Sequence, residues 1–111
     1  MPPSPTPTDQ LDAKIAALRD VIRGTSRWSD RKAYSVAGRE FAHLHGPDEV
    51  DIRLTARLQS RHKGRLRGDE RVGLRQNRSE WITFTLRSTE DVRDALEWIR
   101  MARDANRAET G

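Results

Sequence analysis

The stretch FAHLHGPDEVDIRL, residues 41–54, decides the fold that this sequence predicts. Its second half, VDIRL at residues 50–54, alternates apolar and charged side chains, which is typical of a half-buried strand. Residues 45–49 read His-Gly-Pro-Asp-Glu and combine residue types that favour a turn. Ala42 and Leu44 precede the turn at the spacing of two inward positions. The stretch therefore predicts an antiparallel β-hairpin.

The register of this hairpin follows from keeping its apolar side chains on one face. Residues directly opposite each other on paired strands share a face of the sheet. Pairing Leu44 with Val50 also pairs His43 with Asp51, whereas a slip by one residue would turn both histidines toward the core. We therefore expect a polar outer face that carries Phe41, His43, His45, Asp51 and Arg53.

Helical spacing marks both ends of the chain. A helix is predicted near the N-terminus, with Thr8 or Asp9 as its cap and Gly24 where the chain leaves it. Its apolar face consists of Leu11, Ile15, Leu18 and Ile22. Ser88 and Asp91 form a variant of the capping box and predict the start of a last helix. The apolar stripe of that helix consists of Val92, Ala95, Leu96, Ile99 and Ala102.

The segments between these elements alternate loops with short structured runs. Residues 25–33 are polar around Trp28 and predict a loop, and residues 55–62 predict a short helix capped by Thr55. Residues 72–74 predict a short third strand, and residues 81–87 predict a fourth strand with a longer alternating pattern. The predicted fold is α+β, in the order α-β-β-α-β-β-α, with about three helices on one face of a four-stranded antiparallel sheet of two hairpins. We expect a flexible N-terminal tail at 1–8, one domain at 9–107 and a C-terminal tail at 108–111.

Composition narrows the function classes. The chain of 111 residues contains no cysteine, which excludes disulfides and thiolate metal sites. No apolar run approaches the roughly 18 residues that span a bilayer, and the N-terminus lacks the pattern of a secretion signal. We therefore expect a cytoplasmic protein without a membrane partner. No phosphate-binding loop or dinucleotide fingerprint is present, and no metal or cofactor is expected.

The two histidines of the hairpin are the leading candidates for chemistry. Two residues apart on a strand, His43 and His45 point the same way, and Asp51 or Glu49 across the hairpin can reach them. One interpretation is proton transfer by a histidine that a carboxylate orients. A second is a metal site of two imidazoles and a carboxylate. A third is a hydrogen-bonded surface pair that stabilises the turn. The catalytic candidates are His43, His45, Asp51 and Arg53.

Three further residues are candidates for ligand contacts. Trp81 is predicted on the outer face, where an indole ring can stack on a ligand ring or be covered by the loop around Trp28. Thr83 follows on the same face. Glu40 is expected to face inward, where its carboxylate would need a basic partner or a bend in the strand. A small aromatic or anionic ligand is the partner that this set favours.

An arginine-rich segment supplies the alternative function. Residues 53–78 hold eight arginines and one lysine against Asp69 and Glu70. Such a patch is typical of a nucleic-acid interface and also of an ordinary solvated surface. Interleaved aromatic residues are absent, so the solvated face is favoured over nucleic acid as a partner. An interface with nucleic acid or with another protein would use Arg57, Arg61, Arg65 and Arg67.

Two sequence blocks resemble the luciferase-domain family. The first is GREFAHLHG at residues 38–46 followed by VDIRL at residues 50–54, and the second is SEWITFTLR at residues 79–87 followed by EDV at the start of the last helix. Together they cover roughly residues 30–105. The chain has Val72 and Gly73 where the family often carries a histidine, and Glu80 where glycine is common.

The resemblance carries its own expectations. It implies an α+β fold and, for the fungal members, oxygenation of a polyphenolic pyrone with light emission and without metal or flavin. The resemblance therefore favours a luciferase-like domain whose outer sheet face receives a small ligand.

Overall fold

The computed structural model describes residues 5–26, 31–75 and 79–110. The elements are α1 (Pro7–Ala16), β1 (Val21–Thr25), β2 (Lys32–Val36), β3 (Arg39–His45), β4 (Glu49–Arg53), α2 (Thr55–Arg61), α3 (Lys63–Arg67), β5 (Val72–Leu74), β6 (Trp81–Thr85) and α4 (Thr89–Thr110). The strands form one sheet in the order β1-β2-β3-β4-β6-β5, and the paired strands run antiparallel. The predicted α+β class is confirmed. In the described residues, however, the sheet has six strands instead of four, and four helices accompany it.

The first of the two additional strands replaces the end of the predicted N-terminal helix. Helix α1 ends at Ala16, and Ile22, which was assigned to its apolar face, lies on β1 with 70% of its surface exposed. The helix also begins earlier than predicted, because Thr6 is its cap and Pro7 occupies its first turn. A proline is well tolerated there, since the first helical N–H has no partner within the helix.

The second additional strand, β2, forms a tight hairpin with β3. Val36 pairs with Arg39, so the loop consists of Ala37 and Gly38 alone. Their φ angles are 52° and 79°, as a type I′ turn requires at both central positions. An Ala-Gly pair is a weak turn signal beside Asn-Gly, which is why the sequence did not predict this hairpin.

A β-bulge in β3 corrects the predicted positions of Glu40 and Phe41. Tyr34 pairs with Ala42 whereas Ser35 pairs with Glu40, so Phe41 is the extra residue. Phe41 is fully buried in the hydrophobic core, not on the outer face. Glu40 lies on the outer face, where it accepts a hydrogen bond from Ser26 Oγ at 3.2 Å. The bulge buries the phenyl ring and spares the carboxylate the cost of a place in the core.

The predicted register of the β3–β4 hairpin agrees with the structure. Leu44 pairs with Val50 and His43 with Asp51, as predicted. Strand β6 pairs with β4 on one side and with β5 on the other. Its Ile82 and Phe84 are fully buried, so Trp81 and Thr83, which alternate with them, lie on the outer face as predicted.

Helix α4 closes the inner face of the sheet. Asp91 N donates to Ser88 Oγ at 3.3 Å, which confirms the predicted cap. The helix packs against α1 and against β2, β3 and β4. Its buried side is made of Val92, Ala95, Trp98, Ile99, Ala102 and Asn106, with Leu96 partly buried. The core therefore lies between this helix layer and the sheet, and the opposite face of the sheet carries the polar residues.

The helix predicted at residues 55–62 begins where expected and continues further. Thr55 is the first residue of α2, and its Oγ1 accepts a hydrogen bond from Leu58 N at 3.3 Å, whereas the N-cap position belongs to Leu54, which makes no side-chain cap. Helix α2 ends at Arg61, and α3 begins directly after His62. The His62 ring meets the buried indole of Trp98 edge-on, with the ring centroids 5.4 Å apart. This contact anchors the α2–α3 segment on α4.

Candidate functional site

One cross-strand row runs over the middle of the outer face. Ala33 pairs with His43, His43 with Asp51, Asp51 with Thr83, and Thr83 with Gly73. Because residues in register share a face, three polar side chains stand side by side between two small residues. The row crosses β2, β3, β4, β6 and β5, so the whole sheet positions it.

Asp51 is the centre of this row. It is 1% exposed, and Thr83 Oγ1 donates to its Oδ1 at 2.7 Å. Three further donors surround Oδ2, namely His43 Nε2 at 2.8 Å, Arg75 Nη2 at 2.9 Å and His45 Nδ1 at 3.2 Å. A buried carboxylate is stable only when its oxygens are satisfied in this way.

These contacts fix the charge of Asp51. Burial by itself would raise the pKa of the carboxyl, but the hydrogen bonds from His43 and Thr83 and the charge of Arg75 outweigh it. The pKa of Asp51 therefore lies well below its ordinary value. The carboxylate remains ionised near neutral pH and orients its neighbours instead of exchanging protons.

His43 lies between two carboxylates. Its Nε2 faces Asp51, and its Nδ1 lies 3.1 Å from Glu40 Oε2. A neutral imidazole has one N–H, so with both carboxylates ionised only the imidazolium donates to both. The ring also packs against the indole of Trp81, with the centroids 4.9 Å apart and the planes tilted by 41°. His43 therefore presents ring surface to a ligand, since both nitrogens are engaged.

His45 differs from His43 in its exposure. Its side chain is 46% exposed, and Nδ1 faces Asp51. When Nδ1 donates to the carboxylate, Nε2 becomes an acceptor. A carboxylate that orients a histidine in this way is the arrangement found in hydrolytic triads, where the second nitrogen transfers the proton. The geometry thus suits His45 to proton transfer better than His43.

A surface depression of about 360 Å³ lies over this group and is called the outer-face depression below. Its volume is within the range of pockets that take small ligands. The lining residues are Ser26, Arg31, His43, His45, Asp51, Arg75 and Trp81. Four of these, the two histidines, the aspartate and the tryptophan, are residues that the sequence singled out. Both arginines were missed, because only the strand register relates them to the row.

Arg53 lies beside the site and is bound elsewhere. It pairs with Trp81 in the strand register, but its Nε donates to Glu80 Oε2 at 2.7 Å. Arg39 Nη2 reaches the same oxygen at 3.4 Å. The fully buried Asn106 completes this network, because it donates to the Arg53 carbonyl and accepts from Arg39 Nε. A ligand anion would have to compete with Glu80 for Arg53.

The arginines of the alternative interface lie on α2 and α3. Arg57, Arg61, Arg65 and Arg67 are all exposed, and none lines the outer-face depression. Arg65 Nη2 lies 3.2 Å from Glu97 Oε2, and its guanidinium stacks 4.5 Å from the centroid of the Trp98 ring. Within residues 5–26, 31–75 and 79–110, the other three have no ion-pair partner.

Three expectations concern features outside this geometry. In the described part of the chain, no group of three or more histidine, aspartate or glutamate side chains is arranged to hold a metal ion. Across those same residues, no helix combines the length and the apolarity that crossing a membrane requires. The alternative in which the loop around Trp28 covers Trp81 concerns residues 27–30, which lie outside the described part of the chain.

Comparison with known families agrees with the resemblance seen in the two sequence blocks. The sequence model of the Luciferase domain matches residues 38–102, from the β2–β3 turn into α4. The chain belongs to the Luciferase domain family. All the candidate residues named from the sequence lie within the matched part of this luciferase domain. No curated protein and no solved structure matches the chain.

Proposed function

We propose that this luciferase-domain protein binds a small planar aromatic anion in the outer-face depression. The observation that carries the proposal is the coincidence of an aromatic wall and cationic groups in one depression on the polar face. Trp81 and His43 supply the rings, and Arg31 and Arg75 supply the charge.

The charges around the depression favour an anion. Among the described residues that line it, Asp51 is the one carboxylate, and it lies beside Arg31 and Arg75. Arg75 uses Nη2 for Asp51, and a guanidinium has five N–H donors, so the side chain can bind a second acceptor. Bidentate binding of a carboxylate or phenolate is the geometry for which arginine is suited.

A proton-transfer role for His45 extends the binding proposal. The ligand would lie against Trp81, with its acidic proton within reach of His45 Nε2, while Asp51 holds the other ring nitrogen. The roles of Glu40 and Thr83 would be indirect, since each orients a group of the row: Glu40 bonds His43, and Thr83 bonds Asp51. Arg53 would add positive potential from beside Glu80.

The test is a titration of isotope-labelled protein with para-hydroxybenzoate, followed by amide NMR. We expect saturable shifts at His43, His45, Arg75 and Trp81. Arg75→Gln should weaken the affinity about tenfold, the effect of one lost hydrogen bond to a charged group. Arg61→Gln is the matched control, because Arg61 is also an exposed arginine, and it should leave the affinity unchanged.

Two comparison ligands separate the parts of the proposal. Cyclohexanecarboxylate keeps the charge without the aromatic ring, and benzyl alcohol keeps the ring without the charge. Both should bind more weakly than para-hydroxybenzoate. Equal affinity for all three, or shifts away from the depression, would contradict the proposal.

Turnover has a separate test. The resemblance to the fungal members suggests oxygen consumption with a polyphenol, which an oxygen electrode measures. His45→Gln should abolish that consumption while retaining the affinity for para-hydroxybenzoate. Oxygen consumption that is unchanged in the variant would show that His45 takes no part in the reaction.

A second candidate function rests on the exposed arginines of α2 and α3. Arg57, Arg61 and Arg67, with no ion-pair partner in the described residues, are available to phosphate groups. A nucleic-acid interface of this kind is distinguished by its salt dependence, because each neutralised phosphate releases counterions.

A further inference from the structure

A second cleft lies away from the outer-face depression. It has a volume of about 500 Å³, lies among α2, α3 and β5, and shares no lining residue with that depression. Its lining residues are Gln59, Ser60, Lys63, Leu66, Arg67 and Leu74. This group is called the α3 cleft below.

The α3 cleft combines an apolar floor with a cationic rim. Leu66 is 2% exposed, whereas Leu74 leaves 45% of its surface exposed at the edge strand β5. Lys63 and Arg67 are four residues apart on α3, so both side chains lie on one face of the helix. Together these residues offer a hydrophobic contact next to two positive charges.

The positive charges of the rim are not neutralised locally. None of the described residues that line the cleft is a carboxylate, and in residues 5–26, 31–75 and 79–110 neither Lys63 nor Arg67 has an ion-pair partner. Asp69, the nearest acidic residue along the chain, is bound by Arg71 at 2.8 Å. An anion placed between Lys63 and Arg67 would therefore meet two cations without competition from a carboxylate.

We infer that the α3 cleft binds a free amphipathic anion, with a carboxylate or phosphate group between Lys63 and Arg67 and an apolar chain against Leu66 and Leu74. The polar groups of Gln59 and Ser60 border the same space. Gln59 Nε2 donates to the Ser79 carbonyl at 2.8 Å, which leaves the amide oxygen and the Ser60 hydroxyl to bind the ligand's water shell. The site is independent of the ligand site proposed in the outer-face depression, because the two share no lining residue, and Arg67 is its one residue in common with the candidate nucleic-acid surface.

The test uses sodium decanoate at a concentration where it is monomeric, with isotope-labelled protein and amide and methyl NMR. We expect saturable shifts at Lys63, Leu66, Arg67 and Leu74. Lys63→Gln and Arg67→Gln should each weaken binding about tenfold. Arg61→Gln is the matched control, because Arg61 is an exposed cation nearby that does not line the cleft, and it should leave the affinity unchanged.

Further probes test the two halves of the ligand and its source. Decanol lacks the charge and inorganic phosphate lacks the chain, so both should bind more weakly than decanoate. Decanol that binds as tightly as decanoate, or an affinity unchanged in both charge variants, would overturn the inference. Binding to vesicles of anionic lipid without binding of monomeric decanoate would also overturn it, since the cleft would then recognise a membrane surface.

Discussion

At the scale of single residues, Asp51 determines both the geometry and the charge of the outer face. Asn at this position has nearly the same shape but cannot balance the charge of Arg75. Asp51 is buried and its charged oxygens accept four hydrogen bonds, so Asp51→Asn should lower the free energy of unfolding by about 3 kcal/mol near neutral pH. Urea unfolding followed by circular dichroism measures this change. Asp104→Asn, which removes an exposed carboxylate, should change stability by no more than about 0.5 kcal/mol.

The stabilising effect of Asp51 has a defined pH dependence. Its pKa is lower in the folded chain than in the unfolded chain, where a carboxyl of this type titrates at about 3.9. The contribution is therefore complete above about pH 4 and is lost as the pH falls toward the folded-state pKa. We expect the difference between the wild-type chain and Asp51→Asn to narrow in unfolding experiments below about pH 4. A difference that grows with acidity would contradict the assignment.

The hydroxyl of Thr83 gives a matched pair of variants. Thr83→Val keeps the shape but leaves Asp51 Oδ1 without its donor, which should cost about 1–3 kcal/mol in the free energy of unfolding. Thr85 lies two residues further on the same face of β6 and does not contact Asp51. Thr85→Val should be close to neutral in the same urea experiment. Equal effects of both variants would mean that strand propensity, not this hydrogen bond, determines the change.

At the scale of elements, the β2–β3 turn contains backbone strain at Ala37 that a substitution can relieve. Ala37 adopts a φ of 52°, which favours glycine and asparagine over alanine. Ala37→Asn would create the Asn-Gly pair that type I′ turns prefer. We expect it to raise the free energy of unfolding by about 0.5–1 kcal/mol, measured by thermal or urea unfolding.

A control for this turn lies on a short helix. Ala56 is exposed on α2, and alanine is favoured over asparagine inside a helix. Ala56→Asn should therefore destabilise the chain by a few tenths of a kcal/mol. Stabilisation by both substitutions would show that asparagine acts through the surface and not through the turn.

The sequence predicts an element correctly where its pattern of apolar and polar residues is compatible with one arrangement only. The β3–β4 register was predictable because a slip would bury both histidines, and His43, His45 and Asp51 followed from it. The β-bulge was not predictable, because a single bulged residue leaves the alternation of apolar and polar residues unchanged in the rest of the strand. The bulge moved Phe41 into the core and Glu40 to His43, a contact that simple alternation excludes.

At the scale of the whole molecule, the missed strands explain the missed site residues. Strand β1 is a sheet edge with mostly exposed side chains, so it carries little hydrophobic periodicity to detect. Without β1 and β2, the sequence could not bring Ser26 and Arg31 to the outer face. Arg75 follows the short strand β5, and its contact with Asp51 depends on β5 pairing with β6.

The net charge of +4 sets the expected response to nucleic acid. We expect a short DNA duplex to bind only at low ionic strength, and each neutralised arginine among Arg57, Arg61 and Arg67 to reduce the salt slope by about one. Fluorescence anisotropy across a salt series measures both. Binding that persists at about 0.15 M salt, with a slope near −4, would instead make the α2–α3 surface the principal functional site.

The four contacts of Asp51 also affect how relatives of this chain should be read. A carboxylate that joins β3, β4, β6 and the residue after β5 remains under selection for folding after any ligand has been lost. Its presence in another luciferase domain therefore reports that the sheet is intact, not that the protein is active. Trp81 and Arg75 also line the depression, where Trp81 packs on His43 and the exposed Arg75 side chain reaches Asp51 from the end of β5. Their joint retention or joint loss is the better marker for sorting ligand-binding members from those that keep only the scaffold.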